Sequence, residues 1–307
     1  MLYLTKCEFM FFSGLYGLIL GSFANVLIHR IPKILLYEYE AAGREYFNNH
    51  IRSKILLSFK SPKIKKKIKQ LDKHRWKLNR YNLFVPRSSC TSCGAKIKFF
   101  DNIPIISYLI LKGKCRTCFS PINISYLLVE LTSAMGSVGI AFLITSNIAE
   151  LGSSIFIKFF FLNMFFILSI SLLAIDWKHQ LLPDSLTFPL GFLGIIFCTT
   201  KLSYLNTNES IIGGLIGFSF LWLIFWTYKI CTNKIGLGQG DIKLAASLGA
   251  WVGLSNIVNV LLIASIFGLL VSFCLMLFKK HSFAQTIAFG PFLILGAHIV
   301  IFKEFLI

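Results

Sequence analysis

The sequence predicts an all-α polytopic membrane protein of about eight transmembrane helices, with one small cytoplasmic domain held by four cysteines. Three observations predict it. Apolar residues make up 55% of the 307 positions and gather in long runs, whereas a soluble domain stays near about 45–50%. The positive charge is concentrated in one segment. Four of the eight cysteines form two close pairs inside that segment.

The apolar runs come in order as 10–28, 125–146, 156–175, 185–200, 210–228, 255–278 and 284–302. Most approach the ~20 residues that cross a ~30 Å hydrocarbon core. A shorter run, 242–254, follows Asp241, carries Lys243 and makes the eighth. Backbone groups in lipid have no water to bond, so these runs are expected to be helices. The first run is expected to stay in the protein. Its flanking charges are Lys6 and Glu8, no small-residue cleavage site precedes a mature domain, and it ends at His29-Arg30-Ile31-Pro32.

The net charge of +18 suggests a nucleic-acid partner until it is mapped. Residues 29–124 hold 21 of the 31 Lys and Arg but only 5 of the 13 Asp and Glu, which leaves +16 there and +2 elsewhere. The Lys-rich run Lys60, Lys63, Lys65, Lys66, Lys67 and Lys69 has few interleaved aromatics. It reads as a solvated face or a surface for anionic headgroups, and no nucleic-acid partner is expected. The division that follows is 1–29 as the first span, 30–124 as the basic cytoplasmic domain and 125–307 as the membrane-embedded domain.

Basic segments beside membrane helices stay in the cytoplasm. Threading the chain from a cytoplasmic 29–124 leaves loops 147–155 and 201–209 outside, with Lys201 their one basic residue. The same threading puts 176–184, 229–241 and 279–283 inside, with Lys178, Lys229, Lys234, Lys279 and Lys280. Both termini are then outside.

Cys90-Thr-Ser-Cys93 and Cys115-Arg-Thr-Cys118 are two C-x2-C knuckles separated by 21 residues. Each brings two sulfurs to one face, and four thiolates close a tetrahedron around zinc. Gly94 suits the turn after the first pair. Two disulfides are the alternative, against which a reducing cytoplasm argues. A redox C-x-x-C needs one pair rather than two. A closed four-thiolate site is structural, and it would staple a domain short of core. Cys7, Cys198, Cys231 and Cys274 read as small packed thiols.

The chain has five aspartates: Asp72, Asp101, Asp176, Asp184 and Asp241. The last three fall at span ends on the cytoplasmic side, where ionisable groups are costly and are functional candidates. Asp176 ends the run 156–175. Asp184 follows Pro183 and suits a helix N-cap. Asp241 closes Gly236-Leu-Gly238-Gln-Gly240-Asp241. Two carboxylates from different helices suggest aspartyl protease chemistry, in which the pair shares a proton, one member activates water and the other donates to the scissile carbonyl. Gly238 and Gly240 would let an extended substrate backbone approach Asp241, though the same glycines also make a plain turn. Lys243 is open between tuning the pair and binding headgroups. A transporter or assembly scaffold that binds ions or protons through the aspartates is the alternative, although no internal repeat is visible.

The motifs, in order, resemble those of the type 4 prepilin peptidase family, the leader peptidases and N-methyltransferases. Gly21-Ser-Phe-Ala-Asn25-Val-Leu-Ile-His-Arg30-Ile-Pro32 looks like that family's first-span ending. Pro86 to Gly94, Asn102 to Tyr108 and Gly113 to Cys118 look like its cytoplasmic zinc domain. Tyr126-Leu-Leu-Val-Glu130 leads its second span. Ile175-Asp176-Trp-Lys-His-Gln-Leu-Leu-Pro183-Asp184-Ser-Leu-Thr187 and Gly236 to Leu244 look like its two catalytic blocks, and Phe289-Gly-Pro291-Phe its last block.

The resemblance implies Asp176 and Asp241 as catalytic aspartates, with Asp184 structural and open as an alternative partner. It marks Gly238, Gly240 and Lys243 as supporting residues and Cys90, Cys93, Cys115 and Cys118 as ligands of a structural zinc. It implies a multi-pass enzyme of the bacterial inner membrane whose site faces the cytoplasm. The substrates implied are type IV prepilins and type II secretion pseudopilins, cut after Gly, with the new amine methylated by S-adenosylmethionine. No G-x-G-x-x-G following a strand marks a site for that donor. The segment 33–85 is longer and richer in Lys than the resemblance leads one to expect.

Overall fold

The structure, a computed structural model, describes residues 5–46, 82–146, 152–278 and 287–306. The Lys-rich run 60–69 and the loop with Lys279 and Lys280 lie outside the described residues. The chain forms two compact units, Met1–Asn25 with Asn123–Ile307, and Val26–Ile122.

The helices are α1 (Lys6–Tyr46), α2 (Ile106–Ile110), α3 (Ser125–Thr145), α4 (Ser153–His179), α5 (Asp184–Thr199), α6 (Thr207–Thr232), α7 (Gln239–Leu277) and α8 (Gly290–Leu306). Among the described residues, β-structure amounts to isolated bridges at Ser89–Lys96 and Lys114–Pro121. Among the described residues, five helical stretches are long and apolar enough to cross a membrane: Lys6–Gly43 and helices α3, α4, α6 and α7. The protein is a multi-pass, all-helical membrane protein. Two expected boundaries differ. First, α1 continues past Pro32 to Tyr46. Proline removes one backbone donor but need not end a helix when Ile28 and Ile31 are anchored by burial. Second, the runs 242–254 and 255–278 form one element broken at Gly253.

In the larger unit, small residues bring helices close. Gly17 and Gly21 of α1 face Ser137 and Ser133 of α3, and Asn25 Nδ2 donates to the Tyr126 carbonyl at 3.0 Å. Without a hydrophobic drive between helices in lipid, this close packing of small residues holds them together. Polar side chains are turned inward on their own backbone. Ser13, Ser171 and Thr145 donate to carbonyls four residues back.

The first half of α7 is the core. Leu244, Ala245, Leu248 and Val252 are fully buried, with α5, α6 and α8 packed around this helix. Gly213 and Gly217 of α6 lie against the backbone of Gly249, Gly253 and Ala245. Gly253 takes φ +75° and ψ 177°, a conformation that favours glycine. The break frees carbonyls that lipid cannot satisfy. Ser210 Oγ donates to the Ala250 carbonyl at 2.6 Å, and Tyr204 Oη to that of Trp251 at 3.0 Å.

Candidate active site

Helix α4 delivers Asp176 in its last turn. The helix stops at Gln180, which is left-handed at φ 51°, with its amide on the Asp176 carbonyl. Leu181, Leu182 and Pro183 then lead directly into α5. Asp184 does not cap that helix. Pro183 holds the cap position, and Asp184 is the first helical residue. Its carboxylate instead takes the Lys243 ammonium, with Nζ 2.8 Å from each oxygen.

Helix α7 delivers Asp241 in its first turn, behind an extended Gly238 at the cap. A helix N-terminus is a favourable place for a carboxylate, and the Asp241 carboxyl turns back toward the Gly238 amide. A Cβ on Gly238 would stand 2.8 Å from Asp241 Oδ2. Gly240 is needed for a different contact, because a Cβ there would meet Leu182 Cβ at 2.9 Å.

Asp176 and Asp241, 65 positions apart in the sequence, are brought close enough for their charges to interact. Both are buried, at 4% and 9% exposure. The start of α8 closes the group. The Gly290 amide interacts with both carboxyls, and a Cβ on Gly290 would lie 2.5 Å from Asp176 Oδ2 and 3.3 Å from Leu182 Cδ1. Sequence reasoning assigned Gly290 and Leu182 no role. The available signals were the Phe289-Gly-Pro291-Phe segment and the Leu-Leu-Pro after Asp176. Among the described residues, Asp176 Oδ2 is buried with no hydrogen-bond partner. Buried carboxylate oxygens are normally satisfied, so this one points to a water or a substrate atom. Lys243, open in the sequence between the pair and headgroups, is occupied by Asp184 and by the Phe188 ring at 5.7 Å.

The smaller unit brings the four predicted cysteines together. Their sulfurs all lie within 4.8 Å of one another, with Cys90 and Cys118 Sγ at 3.8 Å. Four thiolates at ~2.3 Å from a tetrahedral zinc are about 3.8 Å apart, so the donor set fits that ion. All four thiols are free, which argues against the disulfide alternative. The two knuckles repeat one another. The amides of Gly94 and Phe119 return to the carbonyls of Cys90 and Cys115, both at 3.0 Å. Both residues are left-handed, at φ 71° and 56°. The amides of Cys93 and Ser92, and then the Ser120 hydroxyl, bring the Cys90 thiol down to about 6, whereas, against the Ala95 amide, desolvation and the Cys118 and Cys90 sulfurs push the Cys93 thiol up to about 11, so it is the sulfur geometry that carries the fit to a metal. Arg116 grips Asp101 beside this site, with Nε 3.0 Å from Oδ2, and holds that carboxyl below its usual range. Of the remaining cysteines, Cys198 is buried as expected, whereas Cys7, Cys231 and Cys274 are exposed. His298 serves packing. It lies among Phe165, Phe166 and Phe302, with Nδ1 2.8 Å from the Ile294 carbonyl.

Residues 15–144 match the Bacterial Peptidase A24 N-terminal domain, and residues 163–273 match the Type IV leader peptidase family. The chain is 36% identical to a protein of Aeromonas salmonicida over 94% of its own length and 88% of that protein's. It is 37% identical to one of Dichelobacter nodosus, over 92% and 88%, and 33% identical to one of Pseudomonas aeruginosa, over 95% and 90%. Each of these relatives is described as a prepilin leader peptidase/N-methyltransferase. No solved structure matches the chain.

Proposed function

Because the chain belongs to the type IV leader peptidase family, we propose that Asp176 and Asp241 are the catalytic pair of a membrane-bound aspartyl peptidase. The protein cleaves leader peptides from prepilins and N-methylates the new N-terminus. The transporter or scaffold alternative is not favoured, because the relatives matched over nearly the whole chain are enzymes. The observation that carries the assignment of the pair is the buried Asp176 Oδ2, without a hydrogen-bond partner among the described residues, beside a second buried carboxyl.

In this reading the pair holds one proton. The ionised carboxylate takes a proton from water as the water oxygen bonds to the scissile carbonyl carbon. The protonated carboxyl donates to the carbonyl oxygen. The tetrahedral gem-diol then collapses: the C–N bond breaks, the carboxyl that received the water proton passes it to the leaving amine, and one hydroxyl returns its proton to the other carboxylate, which restores the shared proton. Gly238 and Gly290 present no side chains to the carboxyls, which suits an extended substrate backbone.

The finer assignments follow the same reading. Cleavage falls after Gly, and pseudopilins of type II secretion are substrates along with type IV prepilins. S-adenosylmethionine is the second substrate and supplies the methyl group. Zinc binds Cys90, Cys93, Cys115 and Cys118 and holds the domain 30–124. The protein lies in the bacterial inner membrane with its eight spans counted by splitting α7 at Gly253, and the site faces the cytoplasm. The basic loops support this orientation. A straight α7 of 39 residues would reach about 58 Å, nearly twice the ~30 Å core, which supports the split.

The test is cleavage of a model prepilin by the reconstituted full chain. Asp176→Asn and Asp241→Asn are each expected to abolish cleavage while the protein stays folded. Cleavage that survives in either variant would remove that residue from the pair.

A further inference from the structure

Three contacts tie α5 to the first half of α7, and they are evenly spaced. Lys243 meets Asp184. Ser247 Oγ donates to the Thr187 carbonyl at 2.8 Å. Trp251 Nε1 donates to the Leu190 carbonyl at 2.8 Å. Residues 243, 247 and 251 are four apart and share one helix face. The lower two contacts depend on glycines in α5. A Cβ on Gly191 would stand 3.1 Å from Ser247 Oγ, and one on Gly194 2.8 Å from Trp251 Cδ1. Each glycine lies one turn beyond the carbonyl being reached, so its missing side chain opens the way to that carbonyl.

The top contact differs in kind. It joins two side chains, is partly exposed, and lies at the end of α7 that carries Asp241. Lys243 follows Asp241 by two residues, and Asp184 follows Asp176 by eight. Between Asp176 and Asp184, Leu182 is pressed against Gly240 and Gly290. The lower contacts set the register of the two helices, whereas the top one, beside the Leu182–Gly240 contact, is the ion pair that ties the start of α7 to the start of α5.

We propose that the Lys243–Asp184 ion pair is a positioning clamp, which fixes Asp241 relative to Asp176 and contributes little to stability. This rests on the reading of the two aspartates as the catalytic pair. Neither clamp residue touches the reacting atoms. Exposed ion pairs stabilise proteins weakly, whereas a misplacement of about 1 Å at reacting groups costs up to about 100-fold in rate.

The experiment is a double-mutant cycle on the reconstituted full chain cleaving a model prepilin, with kcat and KM separated and thermal unfolding measured alongside. Lys243→Met and Asp184→Asn are each expected to lower kcat about 10-fold, with KM within about twofold and the unfolding midpoint nearly unchanged. Because the two act as a unit, the double variant is expected to be no slower than the slower single. Lys243→Arg, which keeps the charge, is expected to retain most of kcat. Multiplying losses in the double variant, unchanged kcat in the singles, or a change in KM alone would each overturn the clamp. Asp176→Asn and Asp241→Asn run in parallel and separate the two ideas. If both are inactive, any failure belongs to the clamp. If either still cleaves, the catalytic pair itself is wrong and the clamp falls with it.

Discussion

A Cβ on Gly290 would stand 2.5 Å from Asp176 Oδ2 and 3.2 Å from its Cγ, so any side chain there pushes the start of α8 away from the carboxyls. Gly290→Ala is therefore expected to lower the cleavage rate by about 10- to 100-fold while the protein folds normally. Steady-state kinetics with circular dichroism would check this, and an unchanged rate would mean that the start of α8 is not part of the site. Residues at this scale were legible unevenly. Asp176 and Asp241 stood out because carboxylates at span ends are costly, and Gly238 and Gly240 because they precede one. Phe289-Gly-Pro291-Phe was visible but silent, since nothing in the sequence says that α8 begins beside the end of α4. Lys243 was ambiguous for a related reason, because its partner lies 59 positions away.

Helix α7 shows what a single residue does to a whole element. Gly253 has a left-handed φ and no room for a side chain, because a Cβ would lie 2.6 Å from Leu205 Cδ2. Gly253→Ala is expected to destabilise the membrane unit by about 2 kcal/mol through the backbone and the contact together. Thermal unfolding in detergent measures this, and an unchanged midpoint would show that the break tolerates a side chain. The apolar pattern places a boundary between 254 and 255, within two residues of the break at Gly253. It did not reveal that Ser210 and Tyr204 cap the freed carbonyls, because those donors come from α6 and from the loop before it. The sequence also ends the first apolar run at residue 28, ahead of His29-Arg30-Ile31-Pro32, whereas α1 continues to Tyr46, since hydropathy marks where lipid ends rather than where a helix does.

The whole molecule was the most legible, because multi-pass architecture follows from apolar runs and the metal site from two short spacings. The approach of Gly290 and Leu182 to the two aspartates and the Lys243–Asp184 contact were not legible, as they depend on helix packing that one sequence does not encode locally. In the smaller unit the four sulfurs are the centre on which the two knuckles close. Removing zinc with a strong chelator, or substituting Cys115→Ser with Cys118→Ser, is expected to expose residues 82–122 to protease. Elemental analysis is expected to fall from one zinc per chain to none. Full protection after complete metal loss would mean that the knuckles fold without an ion. In the larger unit, α5 has 16 residues and is about 24 Å long, against a ~30 Å hydrocarbon core. It turns Phe188, Phe192 and Ile196 outward, so under the proposed count of eight spans the lipid beside it would thin to match a helix several ångströms too short. Asp184 begins this same helix. On that reading the thinned annulus would border Asp184, and a substrate helix arriving there through the bilayer would have the least oil to leave before its leader meets water.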